Sequence, residues 1–235
     1  LRCLVGSEMC IRDRSVSDQQ EPFNVRYITV FGTIIRLHGR ELMEFFPLRE
    51  QKGAVMITSS SNQQMKNITA LMKKAKERKS QNLFVVEGRK MFEEVPPEWL
   101  SKVYVSERFL EEPEAEQLLA GKTYEVVADA VCKSISDTQT PQGILCLVRM
   151  PQYPLSDLLR GNRTHLLIVE SIQDPGNLGT MLRTGEGAGI TGIIMNRTTV
   201  DLFNPKTIRS TMGSIYRVPY YIADDLACLL YTSDA

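Results

Sequence analysis

Between Ser61 and Ala75 the apolar positions Met65, Ile68, Leu71, Met72 and Ala75 recur at three- and four-residue spacing, which predicts a helix with one buried stripe. Ser61 or Asn62 can cap its start. Short apolar runs follow, each bounded by polar stretches. Leu83-Phe84-Val85-Val86 reads as a strand, and Glu87-Gly88 as the turn into a helix from Arg89 to Val95. Lys102–Val105 is a second strand, Glu112–Leu119 a second helix, and Tyr124–Val127 a third strand. Ala128–Ser136 is a short helix, and Gly143–Val148 a final buried strand. Such alternation predicts a compact α/β module. Before Met56 no period is sustained; Ile28-Thr29-Val30-Phe31 has strand composition, but no recognisable turn leads to a partner.

Pro151, Pro154, Gly161 and Asn162 mark a loop-rich boundary, and a second α/β pattern begins beyond it. Leu166–Glu170 has the length and apolarity of a central parallel strand. Asp174-Pro175-Gly176 then forces a tight turn, with Asn177 placed to cap a helix that ends at Gly187-Ala188-Gly189. Gly192–Met195 is the next strand. Asn204-Pro205 combines a capping side chain with proline at the first helical position, a strong start signal. This helix runs through Met212-Gly213, and Ser214–Pro219 leads into another strand. Four polar groups, Asn177, Arg183, Arg209 and Ser210, thereby emerge at strand ends or helix starts, where open α/β sheets bind ligands.

Composition changes this picture little. The chain has 235 residues, 43% hydrophobic and 24% charged, as ordinary globular proteins do, with 28 basic residues balancing 28 acidic ones. No apolar run is long enough to span a bilayer, and the first fourteen residues lack the apolar stretch of a secretory signal. Charge distribution is more telling. Lys66, Lys73, Lys74, Lys76, Arg78 and Lys79 crowd the first helical region, whereas Met91–Ala130 is acidic. One face aimed at a polyanion is the functional reading, and a solvated helix face the plainer one. Cys3, Cys10, Cys132, Cys146 and Cys228 form no C-x-x-C pair, so reduced cysteines in a cytoplasmic protein, without a metal site, are expected. Gly187-Ala188-Gly189-Ile190-Thr191-Gly192 matches the dinucleotide fingerprint by letter. Here, though, a helix precedes it and a strand follows, the reverse of what phosphate binding requires.

Two long stretches resemble a known family. Val169–Thr184, containing Gln173-Asp174-Pro175-Gly176-Asn177-Leu178-Gly179 and Arg183-Thr184, is similar to the first motif of the SpoU/TrmH RNA ribose 2′-O-methyltransferases of the SPOUT superfamily. Asn204–Pro219 is similar to their second motif. Phe84-Val85-Val86-Glu87-Gly88 and Thr140-Pro141-Gln142-Gly143-Ile144 resemble segments of the family's N-terminal substrate-binding domain. The resemblance covers roughly Met56–Ile222. It implies a small α/β substrate domain over 56–150, followed over 151–222 by part of a trefoil-knotted, parallel-sheet methyltransferase domain. It further implies S-adenosylmethionine as methyl donor, tRNA or rRNA as substrate, and a homodimer.

Carried over by position, Arg183 is the catalytic arginine and Asn177 its partner, while Met212, Gly213 and Pro219 are the candidate donor contacts. Lys66, Lys73, Lys74, Lys76, Arg78, Lys79, Arg209 and Ser210 are the candidate RNA contacts. A guanidinium stays protonated, so Arg183 reads better as a phosphate clamp stabilising developing alkoxide than as a base. For Arg183 a surface salt bridge is the structural alternative, for Asn177 a mere cap, and for Ser210 packing. Two departures stand out. Gly185 and Gly187 interrupt the first-motif helix, which predicts a short or loose end. The family's third motif, which supplies much of the donor pocket, is not found before Ala235, so the chain as written is expected to bind donor weakly and to be inactive. Residues 1–55 and 223–235 read as non-native or disordered extensions. A non-enzymatic RNA-binding protein with a vestigial second domain is the competing functional class.

Overall fold

The computed structural model describes residues 25–30, 33–38, 41–47, 56–138, 140–160 and 163–232. Two compact units divide the chain, one before and one after the junction between Ala54 and Val55. In the first, strands β1 (Val25–Val30), β2 (Thr33–His38) and β3 (Glu41–Pro47) form an antiparallel meander, with Ile28 opposite Ile35 and Ile34 opposite Phe46. The strand seen in the sequence therefore has a partner. The sequence does not announce it, because Phe31-Gly32, between the two strands, lacks the Asn-Gly or Asp-Gly hairpin signal.

The second unit begins with α1 (Gln63–Lys73), capped by the Asn62 side chain, which accepts the Gln64 N–H at 2.8 Å. Met65, Ile68 and Leu71 on its apolar face are fully buried. The helical run breaks at Lys74, which is extended, and resumes as α2 (Ala75–Gln81). Four strands follow with their helices: β4 (Leu83–Glu87), α3 (Arg89–Glu93), β5 (Leu100–Ser106), α4 (Glu107–Leu110), α5 (Ala115–Leu119), β6 (Tyr124–Val127), α6 (Asp129–Ile135) and β7 (Ile144–Arg149). They assemble in the order β4-β7-β5-β6, antiparallel except for the β5–β6 pair.

Period-two geometry explains why these strands read as unbroken apolar runs: both faces of the sheet are covered. Val85, Tyr104, Leu145 and Leu147 point to one face and pack under α1 and α6. Phe84, Val86, Val103, Val105, Ile144, Cys146 and Val148 point to the other. That second face does not end the module, since its side chains share one core with Val169, Leu178 and Ile193 from the C-terminal part of the unit.

After α7 (Leu155–Leu158) the chain forms β8 (Leu166–Val169), α8 (Pro175–Gly187), β9 (Gly192–Asn196), α9 (Pro205–Thr211), a single 3₁₀ turn at Ser214–Tyr216, β10 (Tyr220–Ala223) and α10 (Leu226–Thr232). The three strands are parallel in the order β10-β9-β8. Among the described residues β9 is central and β8 lies at the edge, a correction to the placement of Leu166–Glu170 as a central strand; Ile168 is accordingly exposed. Ile193 and Met195 join the large core with Leu178 and Leu182 of α8 and Ile208 of α9, while Ile194 faces a smaller cluster with Leu158, Ala223 and Leu226.

One of the two helix glycines, Gly185, acts oppositely to the sequence expectation. α8 runs unbroken to Gly187, and Gly185 is buried because a Cβ there would stand 2.6 Å from Ile190 Cδ1. Close packing against the Ile190 side chain, rather than looseness, surrounds this glycine.

Candidate functional site

The loop from β8 into α8 is where the first motif takes shape. Ser171 adopts a left-handed backbone (φ 52°). Its N–H donates to Asn196 Oδ1 at 3.0 Å, and its hydroxyl is 2.7 Å from that of Thr198. Gln173 Nε2 donates to the carbonyls of both Ser171 and Thr198. The outgoing loops of two adjacent parallel strands are thus fastened together, and this fastening holds the non-glycine residue in a costly conformation. Neither Asn196 nor Thr198 is conspicuous in the sequence; the only signal is that Asn196 ends, and Thr198 follows, the strand adjacent to β8.

The cap of α8 is Asp174, not Asn177. Asp174 Oδ1 accepts the Asn177 N–H at 2.7 Å, and Asp174 Oδ2 meets Lys206 Nζ at 3.2 Å. These hydrogen bonds, the backbone one foremost, hold the Asp174 carboxyl below the ordinary carboxylate range. Capping by Asp174 frees the Asn177 amide, which is exposed inside the first turn. Arg183 lies six residues on, about 9 Å along the axis and about 120° around it. It too is exposed, and its guanidinium has neither an ion pair nor a hydrogen bond among the described residues. The salt-bridge alternative for Arg183 therefore finds no partner.

Helices α8 and α9 meet at Gly179. A Cβ at that position would lie 2.6 Å from both the Thr207 carbonyl and Ser210 Cβ. Ser210 is accordingly a packing residue whose hydroxyl donates to the Lys206 carbonyl at 2.8 Å. Asn204 caps α9 as its sequence indicates, accepting the Lys206 N–H at 2.9 Å. Arg209, on the last turn, pairs with Asp137 of the first module at 2.9 Å and stays partly exposed.

The first-module motifs converge on the same neighbourhood. Glu87 accepts hydrogen bonds from the hydroxyls of Ser136 and Thr138, and so fixes the segment that carries Asp137. Gln142 Oε1 accepts the Arg89 N–H at 2.7 Å, which explains Gly88: with φ 100°, a side chain there would collide with that amide. Glu87 thus does more than form a turn.

Of the basic residues singled out in the sequence, Lys66, Lys73, Lys74, Lys76 and Lys79 are exposed and have no ion-pair partner among the described residues. Arg78 does not belong with them. It is buried; Nη1 donates to the Leu71 and Met72 carbonyls at 2.6 and 3.1 Å, and Nη2 pairs with Asp201 at 2.5 Å. It closes the C-terminal end of α1 and ties α2 to the loop before α9.

The three expected donor contacts diverge. Met212 is left-handed (φ 50°) and half exposed. Gly213 (φ 92°) faces the Glu94 carboxylate, and the Pro219 carbonyl accepts the Ile193 N–H at 2.9 Å. Of these three Met212 is exposed, Pro219 half-buried and Gly213 buried. Nearby, Arg217 bridges Glu94 and Glu186. Its hydrogen bond holds the Glu186 carboxyl below the ordinary range. Among the described residues no His, Cys, Asp and Glu cluster could hold a metal, and no helix is long and apolar enough to cross a membrane.

Comparison with known proteins agrees with this organisation. Residues 62–146 match the MRM3-like substrate binding domain, and residues 164–234 the SpoU rRNA Methylase family. The chain is 33% identical over 165 residues to the 23S rRNA (guanosine(2553)-2′-O)-methyltransferase RlmP of Bacillus subtilis, covering 69% of this chain and 63% of that protein. It is 29% identical over 166 residues to the mitochondrial rRNA methyltransferase 3 of Homo sapiens, covering 67% and 39%. It thus spans less than two thirds of the length of either relative. In structure it resembles the AdoMet-bound rRNA methyltransferase from Sinorhizobium meliloti, with a TM-score of 0.65, 29% identity, and 77% of this chain and 68% of that one covered. The chain thus carries a domain similar to the SpoU rRNA Methylase family over residues 164–234, with a domain of the MRM3-like substrate binding type ahead of it.

Proposed function

We propose that this chain forms the substrate-binding and methyl-transfer parts of an RNA ribose 2′-O-methyltransferase that uses S-adenosylmethionine, with ribosomal RNA as the substrate class. The named activities of the similar proteins support this, as does the AdoMet bound in the similar crystal structure. One observation on this chain carries it furthest: Arg183, in the family motif, is an exposed guanidinium with no internal partner among the described residues.

The donor would supply a methyl group on a sulfonium. What remains for the chain is to hold a weak nucleophile, the ribose 2′-hydroxyl, in place and to stabilise the charge it develops. Arg183 serves by clamping a backbone phosphate next to the reacting ribose, since a guanidinium is always charged and binds phosphate in a bidentate manner. Asn177, with its amide free because Asp174 does the capping, orients the sugar. The exposed lysines of α1 and α2, with Lys74 between them, supply sequence-independent attraction for the RNA backbone.

The test is transfer of labelled methyl from S-adenosylmethionine to ribosomal RNA transcripts, with ribose-methylation mapping of the product. Arg183→Ala should lower the rate by about a hundredfold or more, the loss of one preorganised charge-stabilising group. Normal methylation by that variant would remove the assignment. The family resemblance also leads us to propose a homodimer; the outer strands β8 and β10 leave Ile168 and Ile222 exposed, and sedimentation of the full chain would report a second copy. A cytoplasmic location fits Cys132 and Cys146, both buried as thiols.

A further inference from the structure

A cleft of about 470 Å³ opens in the first module beside the end of β5, away from every residue assigned a role above except Gln142. Its walls come from three places. Arg108 and Glu112 stand four residues apart on and just after α4, while Asp129 and Lys133 stand one turn apart on α6. Pro141 closes the third side. Asp129 Oδ1 accepts the Arg108 N–H at 3.2 Å, so the two helix starts are locked relative to each other. The floor is apolar, made by buried Phe109 and Cys132. Gly143 (φ 75°) keeps the floor open, since a Cβ there would meet Ser106 Oγ at 2.5 Å and Phe109 Cβ at 3.0 Å.

The lining restricts the ligand. Its volume falls within the range of about 300–1,000 Å³ typical of small-molecule sites, which suits one nucleoside and excludes a duplex. A track for RNA backbone needs a single sign of charge, whereas this cleft carries two cations and two carboxylates. Neither the Arg108 guanidinium nor Lys133 has an ion-pair partner among the described residues. A ligand that satisfies the whole set has an anion for the cations, N–H donors for the carboxylates and a flat apolar face for Phe109 and Pro141. An unstacked nucleotide has all three. Position supports the same reading. Thr140 lines the cleft and lies three residues from Asp137, the partner of Arg209, so at most about 11 Å of chain separates them. RNA engaged at α9 would have the mouth of the cleft within reach.

We propose that this cleft binds one flipped-out nucleotide of the substrate RNA, near the nucleotide that is methylated, and so contributes to substrate choice. The inference rests on the RNA-modifying role proposed above. To test it, the full chain is irradiated with single-stranded RNAs carrying 4-thiouridine at successive positions, and the crosslinked peptides are mapped. One position should crosslink to the peptides bearing Phe109 or Pro141. The doubly substituted Arg108→Ala, Lys133→Ala chain should lose that crosslink and bind RNA about tenfold more weakly. Both substitutions are on exposed side chains, and circular dichroism verifies the fold. Lys76→Ala with Lys79→Ala should weaken binding yet leave the crosslink in place. Crosslinks confined to the lysine helices and to residues 171–210, with unchanged binding by the Arg108 and Lys133 variant, would overturn the cleft while leaving the RNA reading intact. Absence of any RNA binding would overturn both. Free uridine 5′-monophosphate that competes as well as RNA does would make the cleft a site for free nucleotides and refute the proposal.

Discussion

Residues of the same type serve opposite purposes in this chain, and burial decides which. Arg78 and Lys79 are neighbours in a basic run, but the first is an internal strut and the second a solvated cation. Arg183 and Arg209 both come from family motifs, but only Arg209 has an acidic partner among the described residues. Among small residues, Gly179 has little tolerance, because backbone and side chain of α9 already occupy the place of a Cβ. Gly179→Ala should therefore force α8 and α9 apart and cost about 1–3 kcal/mol of stability by thermal denaturation. Methyl transfer should fall as well, since Asn177 and Arg183 ride on the displaced helix. Gly187→Ala is the informative contrast: nothing lies near its Cβ position, so stability should be unchanged or slightly higher.

Elements are secured mainly at their ends. α8 begins on the Asp174 carboxylate, α9 on the Asn204 amide and α3 on the Gln142 amide, each accepting backbone N–H groups that the helix cannot itself satisfy. Asp174 carries a pH dependence with a definite sign. Its pKa is depressed in the folded chain, so its contribution is fully present above the unfolded value of about 3.9 and disappears as pH falls through the folded value. Glu186, held down by Arg217, acts in the same direction. Denaturant melts between pH 6 and pH 3 should show stability flat at first and then falling. Asp174→Asn should flatten part of the acid limb, because asparagine still caps but does not titrate. An unchanged acid limb in that variant would assign the effect to other carboxylates.

At the scale of the molecule, the two modules of the second unit share one core. Phe84 of β4 lies 4.8 Å, ring to ring, from Phe203, and the sole tryptophan, Trp99, is 6.3 Å from Tyr216. Three ion pairs cross the same junction: Arg78–Asp201, Arg209–Asp137 and Arg217–Glu94. The substrate module is therefore held against the methylase module and does not swing on a linker. Phe203→Ala should cost about 3 kcal/mol or more, and Trp99 fluorescence should report it together with far-ultraviolet dichroism in one transition. Two separated transitions would show that the modules unfold independently. Asp201→Asn should cost about 3 kcal/mol by stranding the buried Arg78 charge, a larger penalty than any of the exposed pairs can produce.

The range of each interaction governs how much of this structure is legible in the chain. Apolar periodicity, the Asn204 cap and the order of strands from β4 to β10 are local properties, and the sequence by itself determined them. So were the two motifs that carry the family resemblance. The choice of Asn62 over Ser61 and the short helices α4 and α7 were not legible there. The break at Lys74, the edge position of β8, the division of each strand between two cores, the capping of α8 by Asp174, and the close approach that demands Gly179 and Gly185 were decided only by tertiary structure. So was the fate of the charges: a guanidinium keeps the same letter in the sequence whether a carboxylate 123 residues away meets it, as for Arg78, or no described residue does, as for Arg183. Local chemistry sets which elements form, whereas desolvation and pairing between distant segments determine which side chains remain available to act.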